Sequence, residues 1–255
     1  MRFAVLSTAF LLGIVAPPLV AQAAGPEAVR DPAAALIHYR NALAADSLSY
    51  ETDWRSALAI IDIGKQTPDD QKSDTRDSLY ALAETYARRA VKANPNDAQG
   101  HFALANAVGR ASLTKGKKER VRRAAEIRSE ALRAIELNPQ HDGAYHILGR
   151  WNAEVMRLSG VTKFFAKSFL GADMFDEASW EGAVANMEKA VELNPTRVYH
   201  RLDLAEIYID RKRYADARIQ LHKVERLPAV DVLDPTYKQD GARMLKEIAD
   251  KKDAG

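Results

Sequence analysis

One helix ending occurs three times along this chain of 255 residues. It reads Ala-Val-Lys-Ala-Asn-Pro at 90–95, Ala-Ile-Glu-Leu-Asn-Pro at 134–139 and Ala-Val-Glu-Leu-Asn-Pro at 190–195, and a weaker copy lies at 224–228. Proline removes a backbone hydrogen-bond donor and clashes with the preceding turn, so it tends to end a helix. The recurrence therefore predicts a chain of successive helical units that end in the same way.

The spacing of these endings indicates the type of repeat. Their prolines lie 44, 56 and 33 residues apart, and a tetratricopeptide (TPR) repeat of two helices takes about 34 residues. The two longer units therefore contain insertions, which we place near 110–120 and 159–176. The Leu148-Gly149 pair lies where the first TPR helix approaches its partner. With no alternating strand pattern, we predict an all-α, TPR-like α-solenoid, a superhelix of helix-turn-helix repeats.

The N-terminal residues 1–23 have the pattern of a secretory signal peptide. Arg2 precedes an apolar run, and Ala-Gln-Ala at 21–23 is an Ala-x-Ala cleavage site. A retained membrane helix is the alternative, but it needs about 20 apolar residues, and a pair of prolines interrupts this stretch. We expect an exported protein, periplasmic or secreted, that begins at Ala24 after cleavage.

The rest of the chain is predicted to hold three parts. We expect N-terminal capping helices in 24–66, the TPR-like repeats in 67–228, and a C-terminal capping helix and tail in 229–255. Caps are needed because a repeat cannot bury its faces without neighbours. Thr67-Pro68 is expected to start the first long repeat helix and Asp234-Pro235 the capping helix, since proline is tolerated in the first helical turn.

The sequence contains none of the common catalytic or metal-binding motifs. Its six histidines form no His-Glu-x-x-His motif, and there is no Gly-rich phosphate loop or Gly-x-Ser-x-Gly elbow. The absence of cysteine excludes disulfides and thiolate metal sites. With 37 basic and 35 acidic residues, the chain has little excess charge to attract nucleic acid. We expect a protein that is not an enzyme and has no cofactor, no metal and no nucleic-acid partner.

Binding is the function that a solenoid of this kind favours. The first helix of each repeat lines the concave inner surface of such solenoids. Polar residues on those helices are therefore candidate contacts for a protein or peptide partner. We assign to this surface His101, Asn106, Arg110, His146, Arg150, Asn152 and Asp203.

Residues 110–133 carry nine basic and three acidic residues, a local charge of +6. The functional interpretation is a patch for an anionic partner, such as phospholipid headgroups of a membrane surface or an acidic peptide. The alternative is a solvated helix face with the pairs Glu119–Arg123 and Arg122–Glu126 at i,i+4 spacing. The candidate patch consists of Lys117, Lys118, Arg120, Arg122 and Arg123.

The insertion at 159–176 holds four of the five phenylalanines that follow residue 23. Its apolar residues recur at i,i+4 spacing with two lysines roughly opposite, which predicts a short amphipathic helix. Three roles stay open for this segment: a plug in the solenoid core, a lid over an apolar ligand groove, or a membrane contact. The candidate apolar residues are Val161, Phe164, Phe165 and Phe169.

A set of blocks between 94 and 195 is more specific than a generic TPR match. The blocks are Ala-Val-Gly-Arg at 107–110, Ala-Ile-Glu-Leu-Asn-Pro at 134–139, Ala-Tyr-His-x-Leu-Gly-Arg-Trp at 144–151, Glu-Val at 154–155, Phe-Leu-Gly at 169–171 and Lys-Ala-Val-Glu-Leu at 189–193. They resemble the regulator of microtubule dynamics family of TPR-like proteins, and with its export signal this chain looks like a bacterial-type exported relative.

The resemblance implies a TPR fold and a binding role without catalysis. Eukaryotic members of that family are membrane-anchored, associate with microtubules and, at organelle contacts, bind phospholipid. Because of the predicted export signal, we carry over the peptide or lipid binding and not the cytoskeletal role. The sequence thus predicts an exported TPR-like binding or scaffold protein that holds a peptide or protein partner on its concave face. The alternative is a lipid or apolar-ligand binding protein at the membrane surface that uses the Phe-rich insertion.

Overall fold

The computed structural model describes residues 37, 41, 49–69, 71–170 and 173–253. From Tyr50 onward, the described chain forms ten α-helices and one 3-10 helix, with no strand. In chain order they are α1 (Tyr50–Lys65), α2 (Asp74–Ala93), α3 (Ala98–Ser112), α4 (Lys117–Leu137), α5 (Asp142–Arg157), α6 (Gly160–Leu170), the 3-10 helix (Asp173–Glu177), α7 (Trp180–Leu193), α8 (Val198–Asp210), α9 (Tyr214–Arg226) and α10 (Asp234–Glu247). The predicted signal peptide, 1–23, lies outside the described residues.

Short polar residues begin several helices, and asparagines end three of them. At the starts of α1, α2, α3 and α7, the side-chain oxygen of the capping residue accepts a backbone N–H of the first turn. These capping residues are Ser49, Ser73, Asp97 and Ser179. At the ends of α2, α4 and α7, the N–H groups of Asn94, Asn138 and Asn194 donate to the carbonyl four residues earlier. The following proline stops each helix there. The recurring Asn-Pro endings therefore do end helices, as predicted.

The helices pack in pairs, and neighbouring pairs pack side by side. The pairs are α1 with α2, α3 with α4, α5 with α7, and α8 with α9, while α10 packs against the last pair. Small residues let the helices of a pair approach closely, and Ala83, Ala134 and Ala190 on the second helices are fully buried. The predicted all-α, TPR-like solenoid is confirmed.

The start of α2 differs from the prediction. The helix begins at Asp74 and not at Thr67-Pro68. The helix is capped by Ser73, whose hydroxyl oxygen accepts the backbone N–H of Arg76 (3.2 Å). The Arg76 guanidinium donates to the carbonyl oxygens of Pro68 (2.6 Å) and Gln71 (2.8 Å) and so ties the preceding loop to the start of the helix.

Both ends of the solenoid are built from helices that pack on their neighbours. Since α1 packs on α2 as a pair, paired helices begin inside 24–66, the stretch that we assigned to capping. At the other end α10 starts at Asp234 with Pro235 in its first turn, as predicted.

None of the helices in the described ranges combines the length and the apolar character needed to cross a membrane.

Buried side chains form clusters along the solenoid. One cluster lies between the first two pairs around Ile61, and another surrounds Leu204 in the last pairs. A third, around Trp151, lies under the inserted segment. Each first helix thus buries one face in the core, which leaves polar positions of that helix facing the inside of the superhelix.

Candidate functional site: the inner groove

The first helices of the pairs, together with α10, contribute polar side chains to one shared surface, which we call the inner groove. Arg110 of α3 influences the pKa of Lys65, Asp203 and Tyr237, which lie on three other helices. The side chains are half-buried, with exposed fractions from 14% for His146 to 35% for Arg150. The groove is lined by Asp62 and Lys65 of α1, Arg110 of α3, His146 and Arg150 of α5, Tyr199 and Asp203 of α8, and Tyr237 of α10.

A contact between α1 and α8 encloses the groove. The Lys65 ammonium lies 5.9 Å from the ring centre of Tyr199, and the ring centre of Tyr237 lies 6.1 Å from that of Tyr199. Burial, followed by the charge of Arg110, lowers the pKa of Lys65, and burial raises the pKa of both tyrosines. Such shifts are typical of groups withdrawn from water. The superhelix therefore turns far enough to bring the first pair against the last.

Arg150 is the centre of an ion network between α5 and α8. Its guanidinium lies 2.6 Å from Glu206 and 3.6 Å from Asp203, and Arg157 lies 3.2 Å from the same Glu206. The nearby Asp203 raises the pKa of Arg150 further. Burial alone would raise the pKa of Asp203, but Arg150 and His146 hold it below its usual range. These charges are therefore paired with one another and join the third helix pair to the fourth.

Two histidines form a second link between the same helices. His200 is fully buried, with Nε2 2.9 Å from Asp142 Oδ2 and Nδ1 3.0 Å from Nδ1 of His146. The other nitrogen of His146 lies 3.2 Å from Asp203. Burial lowers the pKa of His200 to about 4 and also lowers the pKa of His146, although a carboxylate beside each ring opposes the shift. Both rings therefore prefer the neutral form near pH 7.

The structure brings together four of the seven residues predicted to line the partner surface. Arg110, His146, Arg150 and Asp203 all lie in the inner groove. Asn106 lies one helical turn before Arg110 on α3 and is half-buried.

The other two candidates, His101 and Asn152, are not on this surface. His101 is 7% exposed, with its ring nitrogens 2.5 Å from Glu130 and 2.9 Å from the carbonyl of Pro95. Asn152 is also 7% exposed, accepts the N–H of Ser179 and donates to a carbonyl of its own helix. Both side chains satisfy backbone or carboxylate groups inside the fold, so their assignment to the concave surface is corrected.

Sequence reasoning missed four groove residues, Asp62, Lys65, Tyr199 and Tyr237. A signal existed for Tyr199, which lies in the first turn after the third Asn-Pro ending, where a first helix begins. No such signal pointed to α1. Whether α1 lies beside the last pair depends on the rotations between all the successive helix pairs. Within the described ranges, no group of three or more His, Asp or Glu residues is arranged to hold a metal ion.

The candidate basic patch lies in the N-terminal half of α4, and two of its arginines form ion pairs. Arg123 is 11% exposed and lies 2.7 Å from Glu84 of α2 and 2.9 Å from Glu119. The predicted Glu119–Arg123 pair is thus present, but Arg122 pairs with Glu119 (2.6 Å) and not with Glu126. Arg123 therefore joins α2 to α4 and does not belong with the exposed members of the patch.

Three members of the basic patch do face solvent. Lys118 and Arg120 are exposed, and the Arg122 side chain is 70% exposed despite its ion pair. The side chain of Lys117 lies outside the described part of the structure. The exposed patch on α4 therefore contains fewer basic residues than the five that the sequence assigned to it.

The Phe-rich insertion forms α6 and the 3-10 helix, so the predicted short helix is present. The side chains of Val161, Phe164, Phe165 and Phe169 lie outside the described residues. Phe175, from the same insertion, is 5% exposed and packs edge-on against Trp151 with ring centres 6.3 Å apart. At this position the insertion does contribute to the core.

Among solved structures, the chain resembles a thermophilic TPR protein of Thermus thermophilus. The two share 18% sequence identity with a TM-score of 0.59, over 83% of this chain and 91% of the other. At this identity the similarity shows the fold.

Sequence comparisons point to one family. The family model described as regulator of microtubule dynamics protein 1-3 matches residues 24–249. Regulator of microtubule dynamics protein 3 of Rattus norvegicus is 26% identical over 193 residues, and protein 1 of Bos taurus is 25% identical over 208. The matches cover 73% and 81% of this chain but only 39% and 64% of those relatives. The chain therefore belongs to the regulator of microtubule dynamics protein 1-3 family.

Proposed function

We propose that this protein binds a peptide or protein partner in the inner groove. The observation that carries the proposal is the convergence of several helices on one enclosed polar surface, with Lys65 of α1 5.9 Å from the ring of Tyr199 on α8. Side chains from so many pairs can contact an extended segment at several points. The role assigned to the groove is binding, and the ion pairs of Arg150 with Asp203 and Glu206 hold its wall in place.

Site-specific crosslinking tests where the partner binds. The photoreactive residue p-benzoylphenylalanine would replace Tyr237 in the groove or, as a control, Ile219, which is 52% exposed on α9. We expect one partner to crosslink from position 237 and not from position 219. An excess of protein without the photoreactive residue should suppress this crosslink. Crosslinking of the same partner from position 219 alone would overturn the groove as the binding site.

We propose in addition that the protein acts outside the cytoplasm. The support is the signal-peptide pattern of residues 1–23. The relatives are named for microtubule dynamics, and an exported member of the family would use its groove for a different partner. A C-terminally tagged chain should therefore begin at Ala24 and fractionate outside the cytoplasm in a bacterial host. A full-length cytoplasmic product would contradict this.

A second candidate function is attachment to an anionic membrane surface. The observation that favours it is the packing of the insertion on the basic helix: Ala166 of α6 and Phe175 share a cluster with Val121 and Ala124 of α4. The exposed cations of α4 and the Phe-rich α6 therefore lie on neighbouring parts of one surface. Basic residues next to an amphipathic helix are typical of peripheral membrane contacts.

Vesicle binding tests this second candidate. Lys118→Gln, Arg120→Gln and Arg122→Gln combined should weaken binding to phosphatidylglycerol vesicles by about tenfold or more, since a basic residue near an anionic surface contributes about 1 kcal/mol. A charge-matched control combines Arg226→Gln, Arg243→Gln and Lys246→Gln, all of them exposed. Equal effects of the two triple variants would contradict a specific membrane contact on α4.

A further inference from the structure

The last described helix, α10, buries few of its own residues. Within α10 only Asp234 and Gly241 are buried, whereas eight residues are buried within α8. A Cβ atom on Gly241 would lie 3.0 Å from the side chain of Val224, so α10 approaches α9 closely at that point. An element with few buried contacts opens at a low cost in free energy. The position of α10 therefore depends strongly on its remaining contacts.

The residues that follow α10 return to the start of α9. Ile248 is 1% exposed and belongs to the core cluster around Leu204. The guanidinium of Arg218 on α9 donates to the carbonyl oxygens of Ile248 and Lys251, both at 3.0 Å. One arginine thus binds two carbonyls of the segment 248–253, which we call the C-terminal strap.

The C-terminal strap also supplies a cap that α9 lacks. Arg213, at the N-cap position of α9, makes no side-chain bond to the first turn of the helix. Instead the carboxylate of Asp253, 38 residues further along the chain, accepts the N–H of Ala215 at 2.9 Å. A carboxylate at this place satisfies a free helical N–H and interacts favourably with the positive end of the helix dipole.

The other end of α10 is fixed to the other end of α9. Lys238 donates to the carbonyl oxygens of Glu225 and Leu227, where α9 ends. A cation that binds the last carbonyls of a helix also interacts favourably with its dipole. The residue before Lys238 is Tyr237, whose ring centre lies 6.1 Å from that of Tyr199 in the inner groove. Charged side chains therefore hold both ends of the helix that carries this groove tyrosine.

We propose that the C-terminal strap is a latch for the wall of the inner groove. Arg218 and Asp253 are its positioning residues, because they hold α10 against α9 and thereby keep Tyr237 beside Tyr199. Once the strap is released, α10 pivots about Lys238 and withdraws Tyr237 from the groove. The latch sets the shape of the groove whichever partner binds there.

Amide hydrogen exchange followed by NMR tests the latch in the full chain. Asp253→Ala should speed exchange of the Ala215 N–H about fivefold, as expected for the loss of a capping side chain. Asp253→Asn keeps an acceptor oxygen and should retain most of the protection. The matched control is Asp250→Ala, which removes an exposed carboxylate close to the strap residues and should leave this exchange unchanged.

Arg218→Met removes both bonds to the strap carbonyls and keeps the apolar stem of the side chain. We expect exchange of the α10 amides to rise about tenfold, as for the loss of a charged hydrogen bond, while exchange in α5 and α7 stays at the parent rate. Fluorotyrosine at position 237 should give one fluorine NMR signal in the parent and a second, solvent-like signal in Arg218→Met. Arg226→Met, at an exposed position of α9, should match the parent.

Three results would overturn the latch. The first is parent-like exchange of the Ala215 N–H in Asp253→Ala and of the α10 amides in Arg218→Met. The second is a uniform rise of exchange along the whole chain, because the two residues would then stabilise the fold without holding α10 in particular. The third is an unchanged fluorine spectrum in Arg218→Met, because the strap would then not position Tyr237.

Discussion

Gly149 determines how closely α5 approaches α7. A Cβ atom built on this glycine would lie 3.2 Å from the backbone nitrogen of Met187 and 3.1 Å from the end of its side chain. The methionine side chain can move, but the backbone of a packed helix cannot without separating the pair. At the scale of a single residue, the absence of a side chain is therefore what lets the third pair form its contact.

We expect Gly149→Leu to lower the free energy of unfolding by about 1–3 kcal/mol or more, the usual cost of overpacking a tight contact. Gly160→Leu is the control, because a Cβ atom there meets nothing within 4 Å. Urea unfolding followed by circular dichroism measures both. Equally small effects would show that α5 and α7 do not depend on the close approach.

The buried histidine pair predicts a loss of stability in acid. Unfolded histidine takes up its proton near pH 6.5, but burial lowers the pKa of His200 to about 4. Between these values the unfolded chain binds more protons, so stability must fall as pH falls from about 6.5 through 4. The Nδ1 atoms of His146 and His200, 3.0 Å apart, can share only one proton, so protonating both rings adds repulsion.

At about 1.4 kcal/mol per pKa unit, the loss from His200 is on the order of 3 kcal/mol. Urea unfolding of the parent and of His200→Gln at pH 7, 5.5 and 4.5 measures it. The parent should lose more stability over this range than the variant, which cannot titrate at that position. Parallel pH profiles would contradict the role of His200. Asp203, Arg150 and Arg197 face the pair in both proteins, so their contributions largely cancel. Asp142 is held below its usual pKa by His200, so the difference between the two profiles reports the His200–Asp142 pair together.

At the scale of elements, the insertion between α5 and α7 supplies two helices, and both pack in the cluster that contains Trp151 and α4. The 3-10 helix contributes Phe175 to the cluster around Trp151, whose indole N–H donates to the carbonyl of Ala124 on α4 (2.8 Å). The α6 helix packs on the same part of α4, with Ala166 buried. A segment that a standard TPR repeat lacks thus supports the contact between the second and third pairs.

Phe175→Ala should destabilise the protein by about 3–5 kcal/mol, the usual cost of truncating a buried phenylalanine. The matched test is Phe169→Ala in α6. A similar loss there would make α6 part of the core plug, and little loss, together with weaker vesicle binding, would favour a membrane contact. Melting temperatures of both variants measure the difference. A change below about 1 kcal/mol for Phe175→Ala would contradict its place in the core.

At the scale of the whole molecule, the superhelix closes on itself at the inner groove. The contact between Lys65 and Tyr199 spans helices from the first and the last pair. One partly exposed cation–π contact contributes about 0.5–1 kcal/mol. This contact is therefore weak compared with the packing between neighbouring pairs.

Distance measurements can test this closure directly. Because the chain has no cysteine, spin labels on Gln66→Cys and Thr196→Cys would report one distance across the groove entrance. The parent should give a narrow distribution. Lys65→Ala combined with Tyr199→Ala should increase the longer, open population about two- to fivefold, as expected for the loss of one such contact, whereas Lys118→Ala should leave the distribution unchanged. An unaltered distribution in the double variant would show that other contacts hold the ends together.

The sequence by itself determined the repeat architecture of this protein. Three sequence features act within one repeat: the Asn-Pro endings, the small residues on second helices and the Leu148-Gly149 pair. Their effects depend only on neighbours a few residues or one helix away. That is why the helix ends and the pairing were predictable. The start of α2 was predicted wrongly, because Thr67-Pro68 and Ser73 both look like helix starts and the helix uses the cap at Ser73.

Only the tertiary structure decided what the groove contains. The small rotation between successive pairs adds up over the solenoid, and that sum places Lys65 of the first pair beside Tyr199 of the last. The same packing buried His101 and Asn152 and gave Arg123 a carboxylate partner on α2. Position along a helix predicts which face a residue occupies. It does not predict which distant helix meets that face, because that depends on every interface in between.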